Sequence, residues 1–373
     1  MDTKFAAILG ASAVVSFGVA YRMIPRAKGA LFEKGIYGID INKTTVEQRA
    51  KFREMRQSGK FTEEFKRLVI PESLGILVGA VCLCAIIGVL LFATLSLPQA
   101  NAAISGIALM LLLGFVDDVM DVRWRHKIVL SAFGTIPLLL AYDGSTSIVV
   151  PLQLRPYLGG EAVVHLGVFY LVYISLYCIF CTNSINILAG VNGVEVGQSL
   201  VIAVAQAIHT FLQIQRGSPE DLEGNRIALA ILIPFIATSY ALWLYNKYPS
   251  QVFVGDSFTY FAGMVLAVSG IMGHSTKTLA LFFAPQIINF VLSIPQLLKI
   301  IECPRHRVPK WNPTTNKLSN SRNYTILNAI LVFTGDLHEK TLTTVMLVFQ
   351  VICCAAAFYI RYTLAGFFFE VVR

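Results

Sequence analysis

Long apolar runs separated by polar connections make up most of the chain. A helix needs roughly 20 apolar residues to cross the hydrocarbon of a bilayer. Runs of that order fall at 5–24, 72–97, 101–119, 127–143, 165–182, 196–214, 227–245, 256–273, 277–299 and 343–364. Strand-like character is confined to short stretches. Ile148-Val149-Val150-Pro151, followed by the turn pair Gly159-Gly160, predicts a small hairpin over 146–165. Residues 45–69 interrupt the apolar pattern, being charged and almost free of glycine and proline. They predict an amphipathic helix lying at the membrane surface, or a solvated insert with no part in any chemistry. The pattern as a whole predicts an all-α polytopic membrane protein: one integral-membrane domain over 1–373 with about ten transmembrane helices. The first run carries little positive charge ahead of it and reads as a retained anchor rather than a cleaved signal. No internal repeat is evident.

Composition agrees. Of 373 residues, 55% are hydrophobic and 14% charged, with mean hydropathy +0.66, whereas a soluble domain is about 25% charged. The formal charge of +8 could point to nucleic acid, but its distribution follows membrane sidedness instead. With ten spans, the odd-numbered loops are 25–71, 120–126, 183–195, 246–255 and 300–342. The first of these holds Arg26, Lys28, Lys34, Lys43, Arg49, Lys51, Arg53, Arg56, Lys60, Lys66 and Arg67, and the last is also basic. The opposite loops clearly hold only Arg155, Arg216 and Arg226. The asymmetry places the odd loops in the cytosol, both termini and the 146–165 hairpin on the far side, and no nucleic acid among the partners. The seven cysteines show no zinc or redox spacing and read mostly as packing residues. The sequons at Asn42 and Asn323 fall in cytosolic loops and are not expected to be used.

Every polar motif of interest falls on that cytosolic side. In 114–127, GFVDDVMDVRWRHK, three carboxylates and four basic groups sit where two apolar runs meet. On a helix continuing through this stretch, Asp117, Asp118 and Asp121 could share one face. Clustered carboxylates repel unless a cation compensates, and Mg²⁺, a hard cation, prefers oxygen. The loop 183–195 offers Asn183, Asn186 and Asn192 beside Gly190, although asparagine and glycine also build ordinary turns. Phe253-Val254-Gly255-Asp256 opens a span, with Asp256 either a helix cap or a metal ligand. Pro304-Arg305-His306-Arg307 has the forked guanidinium groups that suit phosphate oxygens, or anionic headgroups. Asp40-Ile41-Asn42-Lys43 and Pro71-Glu72-Ser73 flank the insert. The set describes a magnesium-friendly acidic pocket with phosphate-binding arginines at a membrane face, as phosphoryl transfer between a diphosphate and a lipid requires.

Taken together, GFVDDVMDVRWRHK, NSINILAGVNGVEVGQS, VFVGDSFTYFAGM and CPRHRVP resemble the eukaryotic dolichyl-phosphate N-acetylglucosamine-1-phosphotransferases of the polyprenyl-phosphate N-acetylhexosamine-1-phosphate transferase superfamily. The resemblance covers nearly the whole chain. It implies transfer of N-acetylglucosamine 1-phosphate from UDP-N-acetylglucosamine to dolichyl phosphate, releasing UMP, as the first step of lipid-linked oligosaccharide synthesis for N-glycosylation. It further implies a multi-pass, tunicamycin-sensitive homodimer of the endoplasmic reticulum membrane. Residue by residue, it implies that Asn186 and Asp256 hold Mg²⁺. Arg305 would contact the diphosphate, and His306 with Arg307 the sugar. Ile41, Gly190, Asn192 and Phe253 would form the uridine site. Asp117 and Lys127 would face the lipid phosphate, with Asp118 supporting them, and Glu72, Asp121 and Asn183 complete the candidate substrate contacts. Trp124 would line the lipid groove or anchor the interface. The chain departs from the animal pattern in the 45–69 insert, in a shorter 308–342 loop, and at Asp121, which restores a bacterial Asp-Asp-x-x-Asp. Two other classes stay open on the residues alone. An aspartate-rich prenyltransferase would want a second acidic loop. A transporter would want its charges near the span midplanes.

Overall fold

The computed structural model describes residues 2–58, 62–142, 144–216, 221–304 and 306–369. Every predicted apolar run is helical: α1 Thr3–Glu33, α4 Gly75–Ala93, α5 Leu97–Met120, α6 Trp124–Leu140, α7 Val168–Ile187, α8 Val194–Arg216, α9 Leu222–Asn246, α10 Gly255–Met272, α11 Thr276–Phe282 with α12 Ala284–Leu297, and α14 Glu339–Tyr359. Among the described residues, seven helices are long and apolar enough to cross a membrane, and eight if the bent pair α11–α12 counts as one span. Among the described residues, strands form three antiparallel two-stranded pairs: β1 Tyr37–Ile39 with β2 Val69–Pro71, β3 Ser147–Val149 with β4 Val163–His165, and β5 Lys310–Asn312 with β6 Lys317–Ser319. The hairpin expected over 146–165 is the β3–β4 pair.

Three expectations are corrected. Residues 277–299 do not form one straight span. The chain bends by 69° between α11 and α12, where Pro285, which has no N–H to give the preceding turn, starts a new helix. The first helix does not stop at 24 but runs through Pro25 to Glu33, so the following loop starts later. The 45–69 insert is not a single helix: α2 Val46–Ser58 and α3 Glu63–Leu68 are separate elements. The insert leaves from β1 and returns through β2, with Gly38 opposite Ile70. That pairing sets Gly38 beside Glu72 despite the long excursion between them, since a Cβ on Gly38 would lie 3.2 Å from Glu72 Oε2.

The centre of the bundle is α10. Its residues from Ser257 through Ile271 are all buried, as expected of a helix apolar on every side. It packs against α4, α5, α7, α8 and α9. Its polar start, Gly255-Asp256, is therefore set among the ends of neighbouring helices. The contact with α5 is tight. A Cβ on Gly114 would lie 2.5 Å from the Asp256 carbonyl oxygen, so only glycine lets the last turns of α5 reach the start of α10.

Candidate active site

The last turn of α5 carries Asp117 and Asp118, and their side chains part. Asp118 turns to the start of α10, where it accepts hydrogen bonds from the backbone N–H of Asp256 and, at 3.1 Å, of Ser257. A carboxylate there satisfies two of the donors that a helix start leaves free and complements its positive end. Gly255, at φ +75°, permits this, since a Cβ would lie 2.2 Å from Asp118 Oδ2. Asp117, buried, accepts from the Val122 N–H at 3.0 Å and pairs with Lys127. Lys127, in the first turn of α6, also donates to Asp256 Oδ2 at 3.0 Å, and Asn186, in the last turn of α7, donates to Asp256 Oδ1 at 2.7 Å. Four residues from four helices thus meet, and Lys127 joins the Asp117 and Asp256 loops into one centre.

Asp121 does not share the helical face of Asp117. It ends α5 in a left-handed conformation at φ +51°, with its N–H on the Asp117 carbonyl, and projects from the helix toward the cleft. The local reason is that α5 must stop for the turn into α6, and aspartate tolerates the left-handed position better than most residues.

These groups open into a cleft of ≈ 1840 Å³ lined by Glu72, Asp121, Asn186, Gly190, Asn192, Phe253, Asp256, Ile41 and His306 among others. Most predicted substrate contacts are therefore in one place. Glu72, just outside α4, has its carboxyl pushed up to about 7, first by burial and then by the charges of Asp118 and Asp256, with Arg56 opposing. Phe253 is fixed by its N–H on the Pro71 carbonyl at 2.8 Å and its carbonyl on the Leu74 N–H at 3.2 Å. Gly190 lies against Val308, so the asparagine-glycine loop meets the loop that follows Arg307.

Two predicted contacts lie elsewhere and one falls outside the described residues. Asn183 donates back to the Ile179 carbonyl at 2.8 Å within α7 and is not among the cleft-lining residues. One helical turn N-terminal to Asn186, it points along its own helix. Arg307 is half-buried beside the cleft rather than lining it. Its carbonyl accepts from Asn328 at 3.1 Å, one Nη is enclosed without a partner among the described residues, and burial lowers the pKa of its guanidinium. Arg305 lies outside the described residues.

A buried network behind the asparagine-glycine loop escaped the sequence reading. Glu339, at the start of α14, accepts from the Asn192 N–H at 2.8 Å and from the Asn42 amide at 3.2 Å. Asn42 donates also to the Gly190 carbonyl at 2.8 Å, and Asp40 accepts from the Asn192 amide at 3.0 Å. Glu339 opens an apolar run far along the chain, and only the folded chain brings it to Asn42.

The donor chemistry fits Mg²⁺. Asp256 offers hard oxygen in a strongly acidic setting, and Asn186 would offer its own once the amide that donates to Asp256 turns over. No group of three or more His, Cys, Asp or Glu side chains forms a closed metal cage among the described residues. An open donor set of this kind suits an ion that keeps much of its shell on water and substrate phosphate oxygens.

Comparison with known proteins agrees with this geometry. Residues 100–274, which carry Asp117, Lys127, Asn186 and Asp256, match the family described as glycosyl transferase family 4. The chain is 45% identical to the UDP-N-acetylglucosamine–dolichyl-phosphate N-acetylglucosaminephosphotransferase of Leishmania amazonensis, covering 96% of this chain and 94% of that protein. It is 43% identical to the protein of that name from Dictyostelium discoideum, over 95% of this chain and 89% of the relative. For the Schizosaccharomyces pombe protein the identity is 38%, over 89% and 76%.

Proposed function

From the premise that the chain belongs to the UDP-N-acetylglucosamine–dolichyl-phosphate N-acetylglucosaminephosphotransferases, we propose that its cleft transfers N-acetylglucosamine 1-phosphate from UDP-N-acetylglucosamine to dolichyl phosphate. The products are dolichyl-diphospho-N-acetylglucosamine and UMP, and the step opens lipid-linked oligosaccharide synthesis for N-glycosylation. The observation that carries this reading is the meeting of Asp117, Lys127, Asn186 and Asp256 at one end of the bundle, where Asn186 and Asp256 line a cleft large enough for a nucleotide sugar.

An oxygen of the lipid phosphate attacks the sugar-bearing phosphorus of the donor. A new phosphoanhydride bond forms, the bond from that phosphorus to the bridging oxygen breaks, and UMP leaves with the electron pair. A phosphate dianion needs no base to become a nucleophile, so direct attack is favoured over a covalent aspartyl intermediate. The main obstacle is repulsion between anions, so catalysis is mostly positioning and charge neutralisation. Lys127, held between Asp117 and Asp256, supplies a fixed positive charge at the reacting centre. Asp118 fixes the start of α10, and through it the position of Asp256. Asp256 and Asn186 would hold Mg²⁺, which when bound neutralises the donor diphosphate. Ile41, Gly190, Asn192 and Phe253 surround the uridine, with Glu72 and Asp121 beside it, while Arg305 takes the diphosphate and His306 with Arg307 the sugar. The site faces the cytosol from the endoplasmic reticulum membrane, the termini are lumenal, and the enzyme is a homodimer.

Radiolabel transfer from UDP-N-acetylglucosamine into a lipid extract by the purified chain tests the reading. Tunicamycin-sensitive, Mg²⁺-dependent label in dolichyl diphosphate is expected. Label appearing only with a prenyl diphosphate donor, or none at all, would overturn it.

A further inference from the structure

Helix α2 lies in the insert, the segment with no part in the transfer so far. Its sequence separates charge by face. A helix turns about 100° per residue, so Arg53 and Arg56 return to within about 40° of Arg49, while Glu47 and Glu54 fall about 140–160° away. The fold uses that separation: Arg49, Arg53 and Arg56 line the cleft, and neither glutamate is among its lining residues. The helix is held by an apolar cluster of its own. Phe52, Phe65 and Val69 are buried there, with Tyr37, Ile39, Met55 and Leu68 packed against them. This wall is therefore built into the fold rather than trailing from it.

The arginine row has a direction. Arg49 donates to the Ile41 carbonyl at 3.4 Å, beside Asn42, which holds the Gly190 carbonyl. At the other end, Arg56 lines the cleft together with Glu72 and Asp256. The row runs from the asparagine-glycine loop to the acidic centre. An anionic substrate approaching Glu72, Asp117, Asp118 and Asp256 meets repulsion, and guanidinium groups on the facing wall supply forked donors for its phosphate oxygens.

We propose that α2 is a phosphate-binding wall of the active site, in which Arg49, Arg53 and Arg56 take oxygens of the donor nucleotide's diphosphate. This deepens the transferase reading and rests on it. The donor, rather than the lipid phosphate, is assigned because the row begins beside the loop of Gly190 and Asn192.

The test uses the full chain in an uncharged detergent, so that anionic lipid headgroups cannot contribute. Arg49→Gln, Arg53→Gln and Arg56→Gln are made singly and together, with Arg53→Lys as the charge-retaining control. Binding of UDP-N-acetylglucosamine, UDP and uridine is measured directly, alongside KM for donor and lipid acceptor. In the combined variant, affinity for both diphosphates should fall about tenfold or more, and the donor KM should rise in parallel. Uridine affinity and the acceptor KM should stay within about twofold, and Arg53→Lys should lose less than Arg53→Gln. Unchanged diphosphate affinity would overturn the proposal. So would an equal loss of uridine binding, which would mark α2 as a structural support only, or an effect confined to the lipid acceptor. Arginine-dependent binding of UDP without any transfer to lipid phosphate would instead overturn the transferase reading and leave the wall standing.

Discussion

Asp256 and Asp117 share one lysine, yet they face different chemistry. Asp256 also bonds Asn186, whereas Asp117 also holds the Val122 N–H. Asp256→Asn is nearly isosteric and should keep the fold while removing the charge of the proposed metal ligand. Turnover should fall by about 100-fold or more, with part of it recovered at high Mg²⁺ if the loss lies in metal affinity. Asp117→Asn should be similarly inactive, and added Mg²⁺ should not help. Turnover measured against Mg²⁺ for both variants decides, and rescue of Asp117→Asn alone would reverse the assignment. Glu72 gives a pH prediction. Burial, aided by the charges of Asp118 and Asp256, raises its carboxyl to about 7 from an ordinary value of 4.5. Between those values the folded chain holds a proton that the unfolded chain has lost. This residue's contribution therefore lowers stability as pH rises from 4.5 to 7 and levels off above that. Glu72→Gln should raise the melting temperature at pH 8, and the gain should vanish near pH 4. Melting curves across that range check it, and an equal gain at both ends would rule out ionisation as the cause.

At the scale of elements, the site depends on how closely α5 meets α10. Gly114 has the Asp256 carbonyl oxygen 2.5 Å from where a Cβ would sit, and the Ser257 Cα at 2.6 Å. Both are backbone atoms, so an added methyl must push the helices apart instead of displacing a side-chain tip. Gly114→Ala should cost about 1–3 kcal/mol, the range for overpacking a dense interior. It should also reduce turnover more than a mutation of equal stability cost elsewhere, because the shift moves Asp118 away from the N–H groups it caps. Ala103, buried on α5 away from the site, provides the comparison as Ala103→Gly. Parallel melting and turnover measurements on both variants separate the two effects; equal turnover at equal stability would show that the α5–α10 spacing does not govern the site. The insert makes a related point. Its helix α2 packs Phe52 and Met55 against the β1–β2 region.

For the whole molecule, orientation follows from the distribution of lysine and arginine along the chain. The 25–71 and 300–342 connections are strongly basic and the opposite ones are not. The positive-inside tendency predicts α2 in the cytosol and the β3–β4 hairpin in the lumen. Arg56→Cys in α2 should react with a membrane-impermeant thiol reagent added to sealed microsomes, and Tyr157→Cys should react only after permeabilisation. The native cysteines, free in the structure, are to be replaced first. Protection of position 56 with labelling of position 157 would invert the orientation.

The sequence by itself determined the membrane class, the helical segments and the motifs of the site. Those properties are local: hydrophobic run length sets a span, and short motifs such as 114–127 carry their chemistry within a few residues. Asp117, Lys127, Asn186 and Asp256, which the fold brings together, stood out in the sequence because carboxylate, amide and lysine side chains beside hydrocarbon have few structural uses. What tertiary structure decided depends on which distant segments meet and where a helix stops. Asp121 left the helical face because α5 ends there, and Asn183 turned along its own helix. Lys127 bridged two loops treated as separate, and Glu339 came from the last long helix to brace Asn42 and Asn192. The arginine face of α2 could be read from helical spacing. Its position over the cleft could not, because it rests on strand pairing across the insert and on an apolar cluster that exists only in the folded chain.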